Sequence, residues 1–81
     1  WQLADDSAEP ERVYLATEQQ TLLRLAILAL PPHYRAVIEL RHFQDLSYEE
    51  IAEALGISLS DVKSHLFRAR RMLRERLEGR L

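Results

Sequence analysis

Apolar residues recur along this chain at helical spacing, and no segment alternates with period two over more than a few residues. The pattern predicts an all-α domain of four helices. The first begins between Pro10, suited to a first helical position, and Thr17, which forms a capping-box pair with Gln20. It runs to about Ala29, because Leu30 precedes Pro31 and is pushed out of the helical region. Leu22, Leu23, Leu25, Ala26, Ile27, Leu28 and Leu30 put apolar side chains on more than one face. That predicts either a helix wrapped by its neighbours or a surface for a partner. Pro32 opens the second helix, which carries Tyr34, Val37, Ile38 and Leu40 and fades at about Phe43. After the connection Gln44-Asp45-Leu46, Ser47 and Glu50 form a second capping box, and Ile51, Ala52 and Leu55 give a short third helix its inner face. Gly56 ends that helix, and Ser58 with Asp61 starts a fourth, the longest, reaching about Glu78 before Gly79.

Two helices joined by about three residues through a glycine cross steeply, as in a helix-turn-helix, here over about residues 47–78. Small Ala52 permits close approach, with Leu55, Ile57 and Val62 filling the crossing. An ordinary helical hairpin in a small bundle is the plainer alternative, but the order of cap, glycine and cap favours the motif. No strand, and so no wing, is expected. With helix 4 unrolled at 100° per residue, Val62, Leu66, Ala69, Leu73 and Leu77 form one narrow core stripe. Ser60, Ser64, Phe67 and Arg71 fall on the opposite line, flanked by Lys63 and Arg68. Two small hydroxyls, one aromatic ring and three cations suit a major groove. Hydroxyls bond to phosphates or base edges, cations pair with phosphate or guanine, and an apolar ring lies against a thymine methyl. The competing expectation for Phe67 is that it folds down onto helix 2 or 3 as a core residue. Arg70, Arg74, Arg76 and Arg80 face solvent or the nucleic-acid backbone.

Charge distribution strengthens this picture where total charge does not. The chain has 81 residues and a net charge of −2, which alone argues mildly against nucleic acid. Both segments before residue 59, divided at Pro32, are net −3, whereas Leu59 to Leu81 carries seven bases and three acids. Such asymmetry marks a basic surface facing a polyanion or, more plainly, a solvated arginine-rich helix. The acidic, aperiodic residues 1–9 read as the remnant of an inter-domain linker, with residues 10–81 as the domain. A chain beginning at Trp1 reads as part of a longer one. Cysteine is absent, which removes a disulfide scaffold, a thiolate zinc site and a cysteine nucleophile, and fits the reducing cytoplasm. No apolar run approaches the roughly 20 residues of a membrane-spanning helix. No enzyme is expected: His33, His42 and His65 share no helical face with a carboxylate, and there is no phosphate-cradling glycine loop and no nucleophile beside a base. No metal or cofactor is implied. Glu49, Glu50 and Glu53 are explained as a cap, helix surface and dipole complement.

The residues also match a family. The strings Leu30-Pro31-Pro32, Arg35-x-Val37-Ile38-x-Leu40-Arg41, Leu46-Ser47-Tyr48-Glu49-Glu50-Ile51-Ala52-Glu53, Leu55-Gly56-Ile57 and Val62-Lys63-Ser64-x-Leu66-x-Arg68-Ala69-Arg70 closely resemble the C-terminal domain of extracytoplasmic-function sigma factors. These are the small alternative sigma subunits of bacterial RNA polymerase. The resemblance covers about fifty residues, from Ala29 to Leu77. It implies a four-helix domain that reads the −35 promoter element as double-stranded DNA through helix 4 and docks on the flap of the polymerase β subunit. Carried over, Lys63, Ser64, Phe67 and Arg68 match groove-reading positions, and Ser60 joins them from the helical unrolling. Arg41 and Tyr48 match backbone-contacting positions, with Arg71 assigned to the backbone as well; Glu49 is a further candidate. Two departures stand out. Ser60-Asp61 replaces the usual small residue or glycine before the valine pair, placing an acid near the groove. His65 replaces an arginine common in the family, weakening or removing one phosphate contact. The resemblance further implies a monomer in the cytoplasm that an anti-sigma factor can sequester, and a linker that runs inside polymerase. Two alternatives stand beside this reading: a helix-turn-helix used mainly for protein interaction, and a response-regulator-type output domain. The latter would dimerise through its last helix, whose apolar stripe is needed here for the core.

Overall fold

The computed structural model describes the backbone of residues 10–79, with side chains from residue 17. The expected linker at residues 1–9 lies outside the described residues. Four helices follow in order: α1, Pro10–Leu28; α2, Pro32–Ile38, which continues as a π-helical segment, Glu39–Phe43; α3, Tyr48–Leu55; and α4, Leu59–Gly79. There is no strand among the described residues. Helix α4 is the central element and packs on all three others.

The boundaries follow from local chemistry. Pro10 and Pro32 occupy first helical positions, where a missing N–H costs no bond. Arg35 Nη1 donates to the Leu28 carbonyl at 3.2 Å, satisfying one of the free carbonyls at the end of α1. The capping box at α3 is complete: the Glu50 amide donates to Ser47 Oγ at 3.0 Å, and the Ser47 amide to Glu50 Oε1 at 2.8 Å. Gly56 closes α3 in the left-handed conformation, φ 68° and ψ 35°. Its amide and that of Ile57, the latter at 3.1 Å, both donate to the Ala52 carbonyl. The Asp61 amide then donates to Ser58 Oγ at 3.0 Å, capping α4. The π-helical end of α2 has no counterpart in the hydrophobic pattern. Its widened turn shows in the Gln44 amide donating to Glu39 at 3.2 Å and the Leu46 amide to Leu40 at 3.0 Å. Asp45 completes the exit at φ 57°, a conformation that short polar side chains tolerate.

The core comprises Ile27 and Leu30 at the end of α1, Val37 and Ile38 of α2, Ile51 of α3, and Val62, Leu66 and Ala69 of α4. No polar or charged residue is buried among the described residues. Three packing expectations need correction. Leu55 does not fill the helix crossing: it is the last residue of α3, 36% exposed, and Ile57 beyond the glycine packs against the core instead. Leu77 is 49% exposed, so the apolar stripe of α4 is covered only as far as Leu73. Leu22, Leu23, Leu25 and Leu28 remain exposed, while Ala26 and Ile27 supply the buried side of α1. Of the two expectations for that helix, wrapping by neighbours fails over these residues.

Candidate nucleic-acid interface

The two caps and Gly56 fix the start of α4, and the buried line Val62, Leu66 and Ala69 fixes its rotation. That rotation leaves Ser60, Lys63, Phe67, Arg68 and Arg71 exposed, with Ser64 half-buried between them. Phe67 is 67% exposed, the most open large apolar side chain among the described residues. The competing placement of Phe67 in the core is therefore excluded. Its ring lies 5.8 Å from the Arg71 guanidinium carbon, a cation–π pair one turn apart that orients both groups outward. From Val62 to Arg74 the chain contains no acid and five bases. Asp61, the acid that departs from the family pattern, sits in the first turn of α4, where a carboxylate complements the helix dipole.

Arg41, at the end of α2, and Tyr48, at the start of α3, are in contact. The Arg41 guanidinium stands 5.6 Å over the Tyr48 ring, and its Nη1 donates to the Leu46 carbonyl at 2.9 Å. Asp45 adds an ion pair at 3.7 Å, exposed and so weak. Arg41 thus braces the connection into α3 through Nη1 while its side chain stays part-exposed. Glu49 is exposed in the first turn of α3.

The histidines are arranged in a way their spacing does not reveal. His65 turns inward rather than to the interface: its ring packs 5.2 Å from His33 and 5.6 Å from Tyr34, and its Nδ1 is buried without a partner. The described residues hold no group of three or more metal-ligating side chains. His42 accepts from Arg70, with Nε at 3.4 Å and Nη2 at 3.3 Å from its Nε2. These residues are 28 positions apart, and no local pattern announces the pair. Burial first, then the nearby charges of Arg70 and Arg41, hold the His42 pKa below the ordinary imidazole value.

Four helices, a glycine-closed turn and a basic exposed face on the second helix of the pair define a helix-turn-helix domain. The signature of the family described as Sigma-70, region 4 matches residues 20–73, about two thirds of the chain. The chain belongs to this family, the region 4 domains of extracytoplasmic-function RNA polymerase sigma factors. It is 45% identical over 69 residues to RNA polymerase sigma factor YlaC of Bacillus subtilis, covering 85% of this chain and 40% of that protein. It is 44% identical over 75 residues to RNA polymerase sigma factor SigZ of the same organism, covering 93% and 42%. It is 37% identical over 76 residues to ECF RNA polymerase sigma factor SigW, again from Bacillus subtilis, covering 94% and 41%. The chain spans about two fifths of the length of these curated relatives. Region 4 is the non-enzymatic sigma domain that binds the −35 promoter element, which sets aside the response-regulator alternative. No helix among the described residues is long and apolar enough to cross a membrane.

Proposed function

We propose that this chain recognises the −35 promoter element as double-stranded DNA and directs RNA polymerase to it. The observation that carries the reading is the exposed ring of Phe67 at the centre of an acid-free, base-rich face on α4. Solvent gives no reason for an open phenylalanine there, whereas a thymine methyl does. Ser60, Lys63, Ser64, Phe67 and Arg68 enter the major groove. Arg41, Tyr48 and Arg71 hold the backbone on either side, with Glu49 near the edge of the site. Selecting bound sequences from random duplexes at low salt tests this: an enriched motif supports it, and uniform recovery overturns it.

Protein docking is the second use, favoured by the exposed leucines of α1. Leu22, Leu25 and Leu77 line one groove together with Ala26 and Arg76, and Leu23, Leu25 and Phe43 line another. These faces suit the flap of the polymerase β subunit or an anti-sigma factor that sequesters the protein. The chain acts as a cytoplasmic monomer that becomes part of the polymerase. A sizing run and a pull-down with the isolated flap check both statements.

A further inference from the structure

The pair His42–Arg70 has a fixed polarity. A guanidinium has five donors, no acceptor and does not lose its proton in proteins, so the lone pair in the contact belongs to His42 Nε2. The contact as it stands requires a neutral His42 ring with its hydrogen on Nδ1. A protonated ring would present an N–H to a guanidinium, cation against cation. Arg41, the preceding residue, adds a second positive charge.

The other charged groups around this segment are otherwise engaged. Glu39, on the same turn, pairs with Arg24 of α1 at 3.3 Å, and Arg24 lies over the Phe43 ring at 4.5 Å. Asp45 pairs with Arg41, and Tyr48 of α3 lies beneath Arg41. The charges felt by His42 are those of Arg70 and Arg41. His42 and Arg70 are both exposed, and Arg41 is half-buried. Arg70 lies seven residues after Lys63, so the two share one ridge of α4 along the side of the proposed groove-reading face. The cluster thus flanks that face where the end of α2 meets it.

Three nitrogen-rich side chains from two elements, without a carboxylate on the imidazole, make an incomplete anion site. We propose that Arg41, His42 and Arg70 form a proton-linked cradle for one DNA backbone phosphate. The inference rests on the promoter-recognition reading above. When a phosphate enters, the Arg70 fork turns to its oxygens, for which its geometry is matched. The Nε2 lone pair is released, takes one proton from solvent, and His42 becomes a third donor to the anion. The phosphodiester stays ionised throughout, so complex formation takes up one proton and breaks no covalent bond. Free protein favours neutral His42 and bound protein favours the cation, so affinity rises as pH falls through the interval between the two pKa values.

The test is a titration of the chain against a duplex carrying its selected motif, at pH 7.5 and 6.0 and constant ionic strength. One linked proton limits the gain to about tenfold per pH unit, and a rise of about fivefold over this interval is expected. His42→Gln brings the ratio of the two affinities to one, while His33→Gln keeps the wild-type ratio. An NMR titration of the His42 ring, with and without duplex, provides a readout independent of any variant: its midpoint moves up on binding. Motif-selective binding with no pH dependence, a ratio unchanged in His42→Gln, or a midpoint that stays put overturns the cradle and leaves promoter recognition standing. Absence of motif-selective binding at both pH values overturns promoter recognition, and the cradle with it.

Discussion

Phe67→Ala separates the reading of bases from the holding of the helix. Fully burying a phenylalanine side chain is worth about 1.5–3 kcal/mol. About two thirds of this one is still open in the free protein, so about 1–2 kcal/mol remains to be gained on DNA. Contact with a thymine methyl covers part of the ring, which brings the expected loss to about 1 kcal/mol, or roughly fivefold in affinity. The residue has no charge, so the loss falls on the preferred sequence, is small on scrambled duplex, and leaves the salt dependence unchanged. Stability changes little, because the substitution removes little beyond the exposed pairing with Arg71, worth about 0.5–1 kcal/mol. Fluorescence anisotropy on preferred and scrambled duplexes at several salt concentrations, alongside thermal unfolding, measures all three quantities. A lowered unfolding midpoint with unchanged selectivity would refute the reasoning. Phe67 would then act through the fold and not through DNA, and the proposed roles of Ser64 and Arg71 would fall with it.

Arg68→Ala is expected to weaken preferred and scrambled duplexes alike and to reduce the slope of log affinity against log salt by about one, read from the same titrations. Wild-type protein, with about four or five phosphate contacts, should show a slope near −4 and little affinity at physiological salt. Apart from its chain neighbours, no atom lies within 4 Å of a Cβ placed on Gly56, so Gly56→Ala there reports the backbone alone. Gly56→Ala costs about 1 kcal/mol in denaturant unfolding, Gly56→Asn less, and Gly56→Val more. Ser58→Ala costs roughly 1 kcal/mol by removing the cap of α4. The depressed pKa of His42 means that the unfolded chain binds more protons as pH falls below about 6.5. Free-domain stability therefore declines in that window, and His42→Gln should flatten the decline in a pH series of thermal melts.

What was legible in the sequence is what short-range chemistry decides. Ser47 with Glu50, Gly56, and Ser58 with Asp61 act within a few residues, and they appear where the residue types place them. The exposed side of α4 was legible for the same reason: three successive buried positions fix the rotation of a helix. The departures are tertiary. Leu55 matched the apolar period of α3, but the left-handed turn after it carries the chain away, and Ile57 takes its place against the core. The leucines of α1 satisfied several faces at once, and periodicity does not say which face finds neighbours. The π-helical end of α2 and the pairing of His42 with Arg70 depend on how α2 and α4 meet, for which no local signal exists.

The net charge of −2 matters less than where the charges lie. Glu39 is bound to Arg24, and Glu50 to the amide of Ser47. Asp61 complements the first turn of its own helix. At physiological salt the screening length is about 8 Å, so an approaching backbone responds to the nearest face rather than to the molecular total. The nearest face is the stretch Val62–Arg74, in which every charged residue is a base. The acidic balance of the remaining chain then has a different consequence. Within that length it repels a duplex approaching any other face and leaves attraction to approach along the basic one. On the proposed reading, a domain built this way is expected to bind weakly alone and to gain effective affinity when tethered beside its site, which the salt titration above measures on the untethered chain.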